Sequence, residues 1–257
     1  MKATLFTSLF SLATAPIASA AAVFYNVNST DNLYELALDG AYAWTDPQFA
    51  TIQSTCNATN VRMINAGLQD SIEAASFARQ RLLEKGSNDD VYKKWFGDGS
   101  IYEVLGLISY LVEAEKSDIS YRCDDVDGSC ASHPTSWPGY DRESNDSETV
   151  ICDLFYTSKK PLSTLCFDGT LVETGPKHYA GIDLLHRYLH TSKMSSDHYI
   201  AEYAEELPEI LDYAQNNASF ATRNVDSYLY YIAESYADAV IPGGCLGDVN
   251  NPPKSDD

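Results

Sequence analysis

The sequence predicts a single α+β domain that is mainly helical and carries a small sheet. Two amphipathic helical patterns come first, between residues 59 and 112, and short segments rich in β-branched and aromatic residues follow, between 119 and 157. Helical patterns return between about 180 and 240. Alternating strands and helices would indicate a parallel α/β sheet, whereas helices, then strands, then helices are typical of an α+β domain.

The first two helices are predicted from their caps and their apolar spacing. Thr59 can cap a helix that ends at Gly86, and its apolar residues recur at helical intervals: Val61, Ile64, Leu68, Ile72 and Ala75. Ser100 can form a capping box with Glu103 at the start of the second helix. Its apolar residues predict a face that packs on the core: Ile101, Val104, Leu105, Ile108, Leu111 and Val112.

The middle of the chain predicts short strands joined by loops. The segments ISYRCDDVDGSC and ETVICDLFYT are separated by a loop rich in Pro, Gly, Ser and Trp over residues 133–140. Three helical segments follow: one contains HRYLH, one runs from about 199 to 215, and one from about 225 to 240. Pro242-Gly243-Gly244 ends the last of them.

The first twenty residues, MKATLFTSLFSLATAPIASA, have the features of a secretory signal peptide. Lys2 precedes an apolar run, and Ala18-Ser19-Ala20 forms a small-residue cleavage pattern. The apolar run is too short to span a bilayer and Pro16 interrupts it, and no later segment is long and apolar enough. We therefore expect a secreted chain that is extracellular or held at the cell wall or surface, and is not membrane-spanning.

Cysteines and charge agree with a secreted protein. All six cysteines follow the predicted signal peptide, and an even number in a secreted chain is typical of disulfides: Cys56, Cys123, Cys130, Cys152, Cys166 and Cys245. Four tripeptides predict N-glycosylation, at Asn28, Asn57, Asn145 and Asn217. The formal net charge of −20 excludes nucleic acid as an expected partner, because phosphate binding requires a basic face.

The pentapeptide HRYLH at 186–190 is the predicted metal motif. His186 and His190 lie one helical turn apart, so both imidazoles can reach a single ion. Asp183 can orient a ligand histidine or pair with Arg187. By spacing alone, the two histidines are equally typical of polar residues on a partly buried helix.

A third ligand is expected just after this helix. Asp197 and His198 stand beyond a turn in TSKMSSDHYIAEY, and a chain that doubles back can present either one. Asp197 is nearly as typical of the N-cap of the next helix, and His198 of a surface histidine.

Several ordered segments carry a family resemblance: CNATNVRMINAGLQDSIEAASFAR, YRCDDVDGSC, SETVICDLFYTSKKPLSTLC, SSDHYIAEYAEELPEI and VIPGGCLG. With HRYLH they resemble the fungal pH-regulated antigen and zincophore family, whose HRxxH members are classed with peptidases similar to deuterolysin-type zinc proteases. The resemblance covers about Cys56 to Cys245. It implies a zincin-like, deuterolysin-like domain over 56–245, with an N-terminal extension over 21–55 and a short polar tail over 246–257.

The resemblance also implies a site and a disulfide pattern. Zinc is the implied metal, His186 and His190 are implied ligands, and Asp197 matches the aspartate that deuterolysin-like enzymes use third. The connection from His190 is shorter here than in those enzymes, so His198 stays an alternative. The implied disulfides are Cys56–Cys123, Cys130–Cys152 and Cys166–Cys245. Because no histidine- and cysteine-containing tail follows Cys245, we expect about one zinc ion per chain.

Arg187 decides between the functions that the sequence leaves open. In a zinc peptidase a glutamate at this position accepts a proton from the attacking water, and arginine cannot do so. The sequence therefore predicts a secreted zinc-binding protein, a scavenger or surface antigen, that lacks the usual base. A cell-surface zinc transporter and host surface proteins are its expected partners.

Two alternatives remain. One is an active zinc metallopeptidase whose base is Glu202, Glu205 or Glu206, although such acids are also typical of a solvated face. The other is a surface protein that binds host or cell-wall components.

Overall fold

The computed structural model describes residues 49–252. The predicted signal peptide, residues 21–48 of the predicted extension, the glycosylation site Asn28 and residues 253–257 lie outside this range. Within it, no helix is both long and apolar enough to cross a membrane.

The described chain contains short strands between groups of helices. In chain order the elements are β1 Thr51–Ile52, α1 Ala58–Lys85, α2 Asp90–Phe96, α3 Ile101–Glu113, β2 Ser120–Arg122, α4 Ser129–Ser132, β3 Gly139–Arg142, β4 Asn145–Ile151, α5 Asp153–Ser158, α6 Leu171–Thr174, α7 Ala180–His190, α8 Ser192–Ser195, α9 Leu207–Asn216, α10 Ala218–Ala221 and α11 Val225–Val240. Short 3-10 turns lie at Gly86–Asn88, Leu162–Thr164 and Pro176–His178. The predicted α+β class is confirmed.

The strands form one mixed sheet in the order β1-β2-β4-β3. β1 runs parallel to β2, β2 runs parallel to β4, and β3 is antiparallel to β4. The two predicted strand segments are confirmed as β2 and β4. β3 begins inside the stretch predicted as a loop, and β1 lies in the predicted extension, so residues 51 and 52 fold with the same sheet.

α1 is the long central helix of the fold. It contacts α3, α7 and α11 and buries the predicted apolar stripe, including Ile64 and Leu68. Its N-cap is Asn57 rather than the predicted Thr59, because the Asn57 side chain accepts hydrogen bonds from two backbone N–H groups. Gly67 allows α7 to come close, since a Cβ there would lie 2.8 Å from Leu184 Cδ1. This close crossing fixes the helix that carries HRYLH.

Two predicted helix starts need correction. α3 does follow Ser100, but Glu103 makes no capping box and instead accepts a hydrogen bond from Thr222 Oγ1 at 2.7 Å. The helix predicted from about 199 begins only at Leu207, with Pro208 in its first turn, a position that tolerates proline. Residues 199–206 are therefore irregular.

The three disulfides implied by the resemblance are present in the structure. Cys56–Cys123 links the start of α1 to the end of β2, Cys130–Cys152 links α4 to the end of β4, and Cys166–Cys245 joins the segment before α6 to the one after α11. The predicted glycosylation sites within the described chain, Asn57, Asn145 and Asn217, are exposed.

Candidate metal centre

α7 presents both histidines of HRYLH from a buried helix. Its apolar residues Ile182, Leu185 and Leu189 are buried in the core, as the pattern predicts, while His186 and His190 are only partly buried. Gly181 allows the first turn of α7 to lie against α1, where a Cβ would come within 2.9 Å of the Ser71 backbone nitrogen. Packing therefore fixes the direction in which the two imidazoles point.

The two histidines meet Glu202. His186 Nε2 lies 2.6 Å from Glu202 Oε1, His190 Nε2 lies 2.8 Å from His186 Nε2, and His190 Nε2 lies 3.5 Å from Glu202 Oε2. One ligand atom from each of these residues lies within 4.8 Å of the others, and in the described chain no other set of three or more histidines, cysteines or acids is grouped so closely.

This donor set has the chemistry of a transition-metal site. Ligand atoms placed tetrahedrally at roughly 2.0–2.1 Å from zinc are about 3.4 Å apart. The 3.5 Å separation here matches that value, and the 2.6 and 2.8 Å separations would each have to widen by less than about 1 Å. Burial lowers the pKa of His186 to about 4, so its imidazole is neutral and has a free lone pair at neutral pH. Burial raises the pKa of Glu202, but the two histidines outweigh it and hold that pKa well below its ordinary value. Two imidazole nitrogens and a carboxylate can therefore hold one zinc ion.

Asp141 on β3 lies near the second ring nitrogen of His190. Its Oδ2 lies 3.9 Å from His190 Nδ1, and its Oδ1 accepts a hydrogen bond from Thr149 Oγ1. Burial lowers the pKa of His190, but Glu202 and Asp141 raise it above its ordinary value overall. At 3.9 Å this contact is a charge–charge attraction rather than a hydrogen bond, and it draws the Nδ1 side of the His190 ring toward β3. The sequence does not point to Asp141, which directly follows the stretch predicted as a loop.

Arg187 turns away from the cluster and is buried in an ion pair. Its Nε donates to Asp183 Oδ2 at 2.9 Å, and the two side chains are only 5% and 2% exposed. Lys159 lies 2.9 Å from the other oxygen of Asp183. Burial raises the pKa of Asp183, but Arg187 and Lys159 bring it below its ordinary value. Of the two roles the sequence allows for Asp183, the contacts therefore favour pairing with Arg187.

The Arg187 guanidinium also packs against the sheet. A Cβ on Gly139 of β3 would lie 2.9 Å from Arg187 Cζ, so only a glycine leaves room for it. Arg187 thus joins α7 to β3 and does not face the ligand atoms.

The structure does not bring Asp197 or His198 into the cluster. Ser196, Asp197 and His198 have φ values of 55°, 56° and 62°, which form a tight left-handed turn. The Asp197 backbone N–H donates to Ser192 O, and the side chains of Asp197 and His198 are exposed. This turn reverses the chain and brings Glu202, five residues beyond Asp197, to the histidines.

The other predicted acids stay outside the cluster. Glu205 and Glu206 are exposed, and Glu206 occupies the N-cap position of α9.

Lys177 and Asp226 adjoin the cluster. Lys177 Nζ lies 3.6 Å from Glu202 Oε1 and 3.1 Å from Asp226 Oδ1. Burial lowers the pKa of Lys177, but Asp226 and Glu202 raise it above its ordinary value, so the amine is charged. Burial raises the pKa of Asp226 to about 6 despite Lys177. Neither residue stood out in the sequence, since a lone lysine and a helix-start aspartate are common.

The fold and the site match one family. The family model for HRXXH, described as "Putative peptidase family", matches residues 1–248. The chain belongs to the HRXXH family. It is 53% identical over 235 residues to Protein ZPS1 of Saccharomyces cerevisiae, a match that covers 91% of this chain and 94% of that protein. It is 40% identical over 211 residues to the pH-regulated antigen PRA1 of Candida albicans, with 80% and 69% covered.

A solved structure confirms the predicted fold of this HRXXH protein. A zinc peptidase from Grifola frondosa superposes with a TM-score of 0.52 at 15% identity, and the match covers 71% of this chain and 99% of that one. At this identity the likeness concerns the fold. The predicted zincin-like fold and the resemblance to fungal pH-regulated antigens are both confirmed.

Proposed function

We propose that this HRXXH protein is a secreted zinc-binding protein that uses a zinc-peptidase fold to capture zinc rather than to cut peptides. The observation that carries the proposal is the cluster of His186, His190 and Glu202 beside a buried Arg187. The likeness to a zinc peptidase supports zinc as the ion, and the relative named as a pH-regulated antigen, together with the disulfides, supports an extracellular location.

The charges of the cluster favour zinc capture. A neutral His186 binds a metal without first losing a proton, and a deprotonated Glu202 offsets part of the charge of the ion. His190, whose pKa is raised, exchanges its proton for the metal. Asp141, 3.9 Å from Nδ1 of His190, attracts the side of the ring opposite Nε2, which lies beside His186 and Glu202. These residues present three ligand atoms of the types that zinc prefers.

The same geometry supports zinc binding over catalysis. Glu202, which the sequence offers as an alternative base, lies among the ligand atoms and would be occupied by the metal. Glu205 and Glu206 are exposed, and the guanidinium of Arg187 is committed to Asp183. A peptidase needs a base within hydrogen-bond reach of the attacking water, and none of these side chains supplies it.

Zinc titration of the metal-free protein, in competition with a chromophoric chelator, tests the proposal. We expect about one zinc per chain, as the sequence predicts. His190→Ala and Glu202→Gln should each weaken binding by about 100-fold or more, since each removes a ligand. The matched control is Glu209→Gln, an exposed acid seven residues away, which should leave affinity within about threefold of the parent.

Asp197→Asn, made in parallel, separates the two candidates for the third ligand. We expect its affinity to stay within about threefold of the parent. If Asp197→Asn removes zinc binding and Glu202→Gln does not, the ligand assignment is wrong.

A peptidase assay on the same zinc-loaded samples completes the test, and we expect no turnover. Turnover that a chelator abolishes and that His190→Ala also loses would replace the capture proposal with the peptidase alternative. Absence of zinc binding in the parent would leave a protein that binds host or cell-wall components.

A further inference from the structure

Lys177 lies between two carboxylates beside the candidate metal centre. It belongs to the 3-10 turn before α7, and its Nζ lies 3.1 Å from Asp226 Oδ1 and 3.6 Å from Glu202 Oε1. Asp226 stands in the first turn of α11, and its side chain is 2% exposed. The ammonium therefore interacts at the same time with Glu202, a candidate ligand, and with Asp226, a buried acid outside the cluster.

Asp226 has an unused acceptor. Its Oδ2 is buried and has no hydrogen-bond partner among the described residues. A buried, unpaired carboxylate oxygen is costly, so a charged donor that moves toward it gains stability. Asp226 can thus accept a second contact from Lys177, at Oδ2, in addition to the one at Oδ1.

A divalent cation on Glu202 changes the balance at Lys177. Glu202 would then bind the metal as well as face an ammonium 3.6 Å from Oε1, and the two cations repel each other across a partly buried site. Asp226, whose Oδ1 is already 3.1 Å from the ammonium, is the buried acid to which Lys177 can withdraw.

We propose that Lys177 is an internal counter-cation of Glu202 that competes with the bound metal, and that Asp226 holds Lys177 when the metal takes Glu202. This inference rests on the proposed zinc function and assigns Lys177 and Asp226 as residues that set affinity without being ligands. In the metal-free protein, Lys177 stabilises the negative charge of Glu202. In the loaded protein, its repulsion keeps zinc exchangeable, which suits a protein that must release what it captures.

The test uses three variants of the full chain. Lys177→Met keeps the length of the side chain and removes its charge, and it should tighten zinc about tenfold. Asp226→Asn removes the second acid and leaves Lys177 on Glu202, so it should weaken zinc about tenfold. Because Asp226 acts through Lys177, the double variant should bind zinc as tightly as Lys177→Met alone.

Lys193→Met is the matched control. Lys193 is also a partly buried lysine paired with an acid, Asp118, but it has no contact with the cluster, so its loss should leave zinc affinity unchanged. The Co(II) absorption spectrum of the loaded site supplies a second measurement. It should be the same in the parent and in Lys177→Met, since Lys177 is not a ligand.

Each result bears on one claim. Weaker or unchanged zinc affinity in Lys177→Met, an altered Co(II) spectrum, or an Asp226→Asn loss that persists without Lys177 would overturn the inference. Should Lys177→Met fail to fold, Lys177→Gln removes the same charge and keeps a polar side chain.

If His190→Ala binds zinc as tightly as the parent, the proposed function itself fails. If His190→Ala abolishes binding while the Lys177 variants match the parent, only the present inference fails.

Discussion

Arg187→Glu restores the residue that a zinc peptidase carries after its first histidine, and we expect it to destabilise the domain rather than to create a base. Judged on the sequence alone, the change should tighten zinc binding, because it removes a cation next to the ion. The structure removes that premise, since Asp183 neutralises the guanidinium at 2.9 Å. A glutamate would instead leave Asp183 with Lys159 alone and add a carboxylate near Asp141.

The expected loss is large relative to the stability of a domain. Removing one partner of a buried ion pair costs about 3–5 kcal/mol, against a total of roughly 5–15 kcal/mol for a typical domain. Arg187 and Asp183 are both almost fully buried, so little solvent screening is available. Arg187→Met should cost less, about 1–3 kcal/mol, because Lys159 still pairs with Asp183 and no carboxylate is added.

Urea unfolding of the oxidised, metal-free variants, followed by far-UV circular dichroism, measures the free energy of unfolding of each variant. We expect the parent to be most stable, then Arg187→Met, then Arg187→Glu. Under conditions where Arg187→Met is folded, its zinc affinity should lie within about threefold of the parent. An Arg187→Glu protein as stable as the parent that also binds zinc more tightly would refute the reasoning, because Arg187 would then act on the ion and not on the fold.

Three further changes test the fold. Hydrogen bonds from Arg142 and Arg122 overcome burial and lower the pKa of Glu148 from 4.5 to about 2, so its charge stabilises the fold above about pH 4.5 and that contribution disappears as pH falls to about 2. Glu148→Gln should therefore cost about 3 kcal/mol at neutral pH and nothing near pH 2, measured by urea unfolding. Asp197→Gly should stabilise the left-handed turn by up to about 1 kcal/mol in the same assay. Replacing Cys166 and Cys245 by alanine opens a bridge between residues 79 apart and should cost roughly 4 kcal/mol.

Each of these has a contrary outcome. A Glu148→Gln penalty that is the same at both pH values would show that the glutamate acts through shape and not charge. Destabilisation by Asp197→Gly would mean that its side chain makes a needed contact. An unchanged unfolding midpoint without Cys166 and Cys245 would mean that this bridge does not constrain the unfolded chain.

Periodic helices could be predicted from the sequence because their signals are local. The last helix has the predicted bounds, Val225–Val240, since its apolar residues recur at regular intervals and Pro242 follows. The first also ends as expected, at Gly86, whose φ of 67° favours glycine. β3 could not be recognised in the same way, because its pairing with β4 depends on tertiary contacts and its sequence, GYDR, has the composition of a turn.

The candidate site was predictable only in part, because one of its members depends on the path of a loop. The two histidines follow from helical spacing, whereas Glu202 depends on three consecutive left-handed residues, none of which is glycine. Asp197 is a residue type favoured in this conformation, but aspartate is equally favoured at helix caps. Its presence therefore does not by itself predict the turn. One signal was present: Pro208 marks the first turn of a helix, so a helix could not be expected to run unbroken through residue 202.

Under the proposed function, the surroundings of residue 187, and not its identity alone, distinguish this site from one with a glutamate base. A glutamate base needs an environment that tolerates its negative charge, yet here Asp183 lies one turn earlier on α7 and Asp141 lies on the adjacent strand. Both acids make a further contact, since Asp183 pairs with Lys159 and Asp141 lies near His190. Gly139 leaves space that a guanidinium fills and a shorter carboxylate would not. Placing a glutamate base at residue 187 would therefore require several coupled changes across α7 and β3, because the single exchange of arginine for glutamate leaves Asp183, Asp141 and Gly139 unfavourably placed around it.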